Sequence, residues 1–80
     1  MKTMEQSPEI KLSDMDLSAF LLTLGHPIVR LEGQAGRRQF VFKNVPEDAV
    51  VAFYGGDDRV SARALLNALR NVKGLLAQAL

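Results

Sequence analysis

Cysteine and tryptophan are missing from this 80-residue chain, and histidine and tyrosine occur once each. Without cysteine there is neither a disulfide nor a thiolate metal ligand, and a reducing compartment, the cytoplasm, is the natural setting. A single histidine leaves a zinc site to be assembled from carboxylates at spacings this chain does not support. No apolar run nears the roughly 18 residues of a membrane span. Residues 1–15 carry Glu5 and Glu9 and have no apolar stretch of the kind a signal peptide requires. The glycine patterns that cradle phosphates, GxGxxG and GxxxxGK followed by Ser or Thr, do not occur either. The expectation is a cytoplasmic, non-enzymatic protein with no metal, no cofactor and no small-molecule substrate.

What remains is ordinary globular material, 48% apolar and 24% charged. A chain this short buries only about 60–65% of its unfolded surface, so its stability margin is thin. Its clearest segment is Ser61 to Leu80, SARALLNALRNVKGLLAQAL. At about 100° per residue, Arg63, Asn67, Arg70, Asn71, Lys73, Gly74 and Gln78 share one face of a helix. Ala62, Leu65, Leu66, Ala68, Leu69, Val72, Leu75, Leu76, Ala79 and Leu80 fill the other. That apolar arc spans roughly 180°, wider than the ~100° a surface helix needs.

Upstream, residues 1–12 have mixed polarity and a Ser7-Pro8 step, and read as a flexible tail, with Ile10 and Leu12 as the residues able to order against the body. Residues 13–80 read as one domain. Ser13 followed by Asp16 has the form of a capping box. Leu17, Phe20, Leu21 and Leu24 then repeat at helical spacing, until Gly25 and His26-Pro27 stop a helix of about 14–24. Val29 and Leu31, then Phe40 and Phe42, alternate with polar residues as two strands. Pairing Leu31 with Phe40 and Val29 with Phe42 puts all four on one side and leaves Gln34-Ala35-Gly36-Arg37 as the loop. Val45-Pro46-Glu47-Asp48 starts another helix, with Ala49, Val50 and Phe53 inward, Tyr54 as a further candidate, and Gly55-Gly56 at its end. Ser61 caps the last helix, and Val60 pins its start. The order is helix, β-hairpin, helix, helix (αββαα): a small α+β domain with the hairpin packed on the helices.

Two stretches of this pattern, Asp16-Leu17-Ser18-Ala19-Phe20-Leu21-Leu22-Thr23-Leu24-Gly25 running into the hairpin, and Arg59 through Lys73 (RVSARALLNALRNVK), resemble a small bacterial and archaeal domain family of unknown function, DUF5659. The likeness covers roughly residues 14–76. It implies an αββαα-like order and no assigned activity, and it carries over no catalytic residue.

Candidate chemistry is sparse. Tyr54-Gly55-Gly56-Asp57-Asp58 has paired acids after glycines, a pattern that holds Mg²⁺ in palm-type polymerases. Between two helices, however, the glycines end one and the acids precede the positive end of the next. His26 has no nucleophile to serve and fits a capping or solvated role. Charge alternates in sign along the chain. Residues 1–26 carry −2, residues 27–45 +3, residues 46–58 −4, and residues 59–80 four cations with no acid. Neighbouring blocks could neutralise one another, the last helix reaching Glu47, Asp48 or Asp57, or the two basic blocks could attract an anionic partner.

Two interaction readings follow. The favoured one is self-association as a homodimer, or docking of another protein, through the wide apolar arc, with Leu66, Leu75, Ala79 and Leu80 as candidate interface residues. The alternative is nucleic-acid binding through Arg37 and Arg38 at the hairpin tip and Arg63, Arg70 and Lys73 on the last helix. The last helix is central to both. Leu69 lies near the middle of its apolar arc, so Leu69→Asp is expected to unfold the domain. A native-like circular dichroism spectrum and melting point in that variant would show that the buried face is assigned wrongly.

Overall fold

A computed structural model describes residues 8–34, 36–56 and 59–78. Along the chain run β1 (Glu9–Leu12), α1 (Met15–Thr23), β2 (Ile28–Glu32), β3 (Gln39–Lys43), α2 (Glu47–Gly55) and α3 (Ala62–Gln78). The fold is a small α+β single domain, as the residue patterns indicate. The sheet holds three antiparallel strands in the order β1-β3-β2 rather than two. Residues 9–12 are therefore not tail but an edge strand. Ile10 lies opposite Phe42 and Leu12 opposite Phe40, while Glu9 and Lys11 take the other face. Four residues of strict alternation suffice because β3 offers an open edge to pair with.

The hairpin holds Leu31 opposite Phe40, as expected, but a bulge between Ile28 and Arg30 puts Ile28, not Val29, opposite Phe42. Val29 is left exposed. One extra residue lets the larger Ile28 join Leu31 on the inner side, which simple alternation would forbid. The strands stop at Glu32 and restart at Gln39, so the tip is longer than four residues, and Ala35 lies outside the described residues.

Phe40 and Phe42 point inward onto α1. There Leu17, Ala19, Phe20 and Leu21 complete a buried cluster with Ala68 and Val72 of α3. Five consecutive α1 residues, Leu17 to Leu21, are buried, so this helix is covered on every side. Sheet, α3 and α2 all lie around it. Ser18 is tolerated inside because its hydroxyl donates to the Asp14 carbonyl at 2.8 Å. The N-cap is Asp14 rather than Ser13, accepting from the Asp16 and Leu17 amides at 2.9 and 3.2 Å. Asp14 sits one residue nearer the first helical turn and brings a charge that suits the helix dipole. At the other end Gly25 has φ +97°. The Gly25 and His26 amides reach back to Leu22 and Leu21, a Schellman closure that leaves Leu24 exposed rather than buried.

α2 begins after Pro46 and ends at left-handed Gly56. Ala49, Val50 and Phe53 pack inward, and Phe53 meets Phe20 with ring centroids 5.3 Å apart. Tyr54 turns out to solvent. Ser61 caps α3 through the Ala64 amide at 3.3 Å, and Val60 packs against the core before it. On α3 the buried centre is Ala68 and Val72, and Leu69 is half-buried beside them. Val72→Asp is therefore the more damaging charge insertion of the two.

Val41 is fully buried yet faces away from this core. Its cross-strand neighbours are Lys11 and Arg30, and a network of charges closes over it. Arg30 reaches across β3 to Glu9 with two bonds of 2.9 and 3.1 Å and touches Glu32 at 2.6 Å. Lys11 crosses the other way to Glu32 at 2.9 Å. Together the two pairs strap both edge strands to the centre, and their alkyl stems supply apolar cover. The hydrogen bond from Arg30 holds the Glu9 carboxyl below its ordinary 4.5. Lys11, then Arg30, does the same for Glu32, and Arg30 in turn is raised, chiefly by Glu9.

A carboxyl lowered in the folded state stabilises above its unfolded value and loses that contribution as pH falls through the folded one. The melting temperature is therefore expected to drop between roughly pH 5 and pH 3, with a smaller drop in a Glu9→Gln, Glu32→Gln variant that melts lower at pH 7. Thermal melts followed by circular dichroism across that range check this. Identical acid profiles for the two proteins would mean the network contributes nothing.

Candidate nucleic-acid interface

α3 packs against α1 and turns its polar side outward. Arg63, Asn67, Arg70, Asn71, Lys73 and Gly74 are all exposed. Arg70 donates to Asn67 at 3.1 Å, an i, i+3 bond that orients the guanidinium along the helix surface. Among the described residues, Arg63, Arg70 and Lys73 make no ion pair; the salt bridges are the three of the sheet network. Of the described acids, Asp16 shares a hollow with Leu65 and Leu69 on the apolar flank of α3, and the others are held by their own elements. Glu9 and Glu32 belong to the sheet, Asp14 and Asp16 to the start of α1, and Glu47 and Asp48 to the first turn of α2. Neither Glu47 nor Asp48 forms an ion pair with α3, and Asp57 lies outside the described residues.

The second basic segment is held by the hairpin tip. The Arg37 amide donates to the Gln34 carbonyl at 2.8 Å, closing the turn. Gly33 has φ +93°, and a Cβ there would meet the Arg37 carbonyl oxygen at 2.5 Å, so only glycine fits. The Arg38 guanidinium donates to the Gly33 carbonyl at 2.7 Å and is partly buried, whereas Arg37 is exposed. The tip adjoins the end of α3 across a hollow of about 740 Å³, whose lining includes Arg37, Arg38, Met15, Phe40, Leu76 and Ala77. Ala77 stands one turn beyond Lys73 and in the same heptad row as Arg63 and Arg70. Arg37 and Arg38 line this hollow and Lys73 stands one turn before its α3 wall, whereas Arg70 lines a separate groove with Leu22, Pro27 and Ile28.

The apolar candidates separate instead. Leu66 is 56% exposed. Leu75 is half-buried in a groove of about 450 Å³ beside Leu22, Pro27 and Ile28. Nine residues apart on a helix, the two point in opposite directions. Ala79 and Leu80 lie outside the described residues, as does the Asp57-Asp58 pair. A different apolar group is more coherent, and sequence reading missed most of it. Val51 and Tyr54 are exposed on α2. Tyr54 leans edge-on against Phe53 at 5.2 Å, and Phe53 shares a hollow of about 340 Å³ with Leu65 and Leu69 of α3. The spacing 50, 51, 53, 54 gives α2 apolar residues on too many sides for one helix face, which was the available signal.

No group of three or more His, Cys, Asp or Glu gathers among the described residues. No described helix is long and apolar enough to cross a membrane.

No curated protein and no solved structure matches this chain. Residues 7–78 match a domain of unknown function, DUF5659. That match takes in β1 as well as the segments whose likeness was noted from sequence, and it covers nearly the whole chain, so the protein belongs to the DUF5659 family.

Proposed function

We propose that this protein is a non-enzymatic, cytoplasmic nucleic-acid-binding module that contacts phosphates with Arg63, Arg70 and Lys73 of α3 and with Arg37 of the hairpin tip. The observation that supports it is charge segregation. Lys11 and Arg30 are spent on Glu9 and Glu32 within the sheet, whereas α3 exposes its cations with no acid in residues 59–78. An overall charge of +1 then coexists with one locally basic face, which is what a polyanion meets. Asn67 and Asn71 between the cations can donate to phosphate or base edges.

Docking of another protein, or of a second copy as a homodimer, is the second reading. Exposed Val51, Tyr54 and Leu66 on α2 and α3 favour it, since such residues in a small domain suit a partner. The opposed directions of Leu66 and Leu75 put it behind the first, because no single partner surface covers both.

Replacing Arg63, Arg70 and Lys73 together by Gln is expected to leave the circular dichroism spectrum and melting point unchanged. Binding to an oligonucleotide, measured by fluorescence anisotropy across a salt series, should weaken, and the log–log salt slope should shrink by about 2. An unchanged slope in a folded triple variant would exclude this face as the phosphate contact.

A further inference from the structure

We infer that the hollow between the hairpin tip and the end of α3 receives a base of single-stranded nucleic acid. The inference deepens the reading of α3 as a phosphate-contacting face and rests on it. At about 740 Å³ the hollow has the size of a small-ligand site. Its walls are apolar where Met15, Phe40, Leu76 and Ala77 meet, and polar groups enter from Ser13, Gln39 and the tip arginines. That is the arrangement a base requires: apolar walls for its faces, and a hydroxyl and an amide within the same space for its edge.

Charge complementarity selects the occupant. Lys73 stands one turn before Leu76 and Ala77 of the hollow, so a backbone held by this lysine arrives at its mouth, with Arg70 on the neighbouring groove. Exposed Arg37 stands on the opposite side of that mouth. Arg38 is engaged with the Gly33 carbonyl and serves to hold the tip in place. Of the two carboxylates that flank Met15, Asp16 lines a different hollow with Phe20 and Phe53, and the other is Asp14. It is turned into the α1 amides of Asp16 and Leu17, where its charge complements the helix start instead of repelling a phosphate. A duplex keeps its bases stacked inside and has none to offer such a space without flipping it out, whereas an unpaired strand presents them at no such cost.

The test uses the full chain at low salt and anisotropy of three labelled probes: a single-stranded oligonucleotide, its duplex, and a strand of the same length with abasic positions. The inference expects the single strand to bind tightest and the abasic strand about tenfold or more weaker, because its phosphates remain and its bases do not. Ala77→Trp, a change at an exposed rim position, fills the hollow. It should bring the single strand down to the level of the abasic one, with the abasic affinity and the melting point unchanged. Equal affinity for the base-bearing and abasic strands would overturn the inference while leaving the phosphate-contacting face intact, as would preference for the duplex. Binding to none of the three would overturn both.

Discussion

The fold depends on one strand. In β3, Phe40, Val41 and Phe42 are consecutive and all buried, so this strand needs cover on both faces and a partner on both edges. Its inner face takes α1, a helix covered on all sides. Its edges take β1 and β2. Its outer face, where no helix lies, is covered by charge: Glu9, Lys11, Arg30 and Glu32 pair across the strand and close over Val41. Each exposed pair is worth little alone. As a four-residue network tied by a bidentate arginine, it also fixes the register of two short edge strands, which is a structural role more than an energetic one.

That cover sets the electrostatics of the rest. It consumes two acids and two bases from the first half of the chain, drawn from blocks of opposite sign, and leaves the strands with the single further charge of Lys43. The cations of α3 have no such arrangement. They sit on the outward side of α3, with the acids of the helices held at the starts of α1 and α2, where helix dipoles favour them. Gly74 belongs to the same outward face. A glycine inside a helix costs about 1 kcal/mol relative to alanine, and a Cβ there would meet nothing. Packing within the domain does not call for it, whereas a smooth approach of another backbone to α3 would use it.

Much of this was legible in the residues and the remainder had identifiable reasons to be hidden. α3 was plain because seventeen helical residues give the period many repeats. The Leu31–Phe40 register was fixed by two phenylalanines that could not both face water. β1 was hidden because Ile10 and Leu12 supply only two inward residues beside a polar start. Their meaning comes from the free edge of β3, which is a tertiary fact. The bulge at Val29 was hidden for a similar reason: Ile28 and Val29 compete for one inward position, and alternation alone favours the wrong one. Arg63, Arg70 and Lys73 were readable as one face by helical period. That the end of α3 shares a hollow with Arg37 and Arg38 was not, because it depends on where the hairpin tip ends relative to the end of α3. Likewise Leu66 and Leu75 read as two margins of one broad arc, but α1 occupies the middle of that arc and parts them.

On the proposed function, α3 presents a basic surface to a polyanion. Size-exclusion chromatography with light scattering, monitored at 260 and 280 nm, tests it most directly on protein purified at low salt. With no tryptophan and one tyrosine the protein absorbs weakly, so bound nucleic acid dominates the trace. The expected result is protein co-eluting with a high 260/280 ratio, and release to a bare monomer when the salt is raised. A homodimer of bare protein at low salt would contradict it.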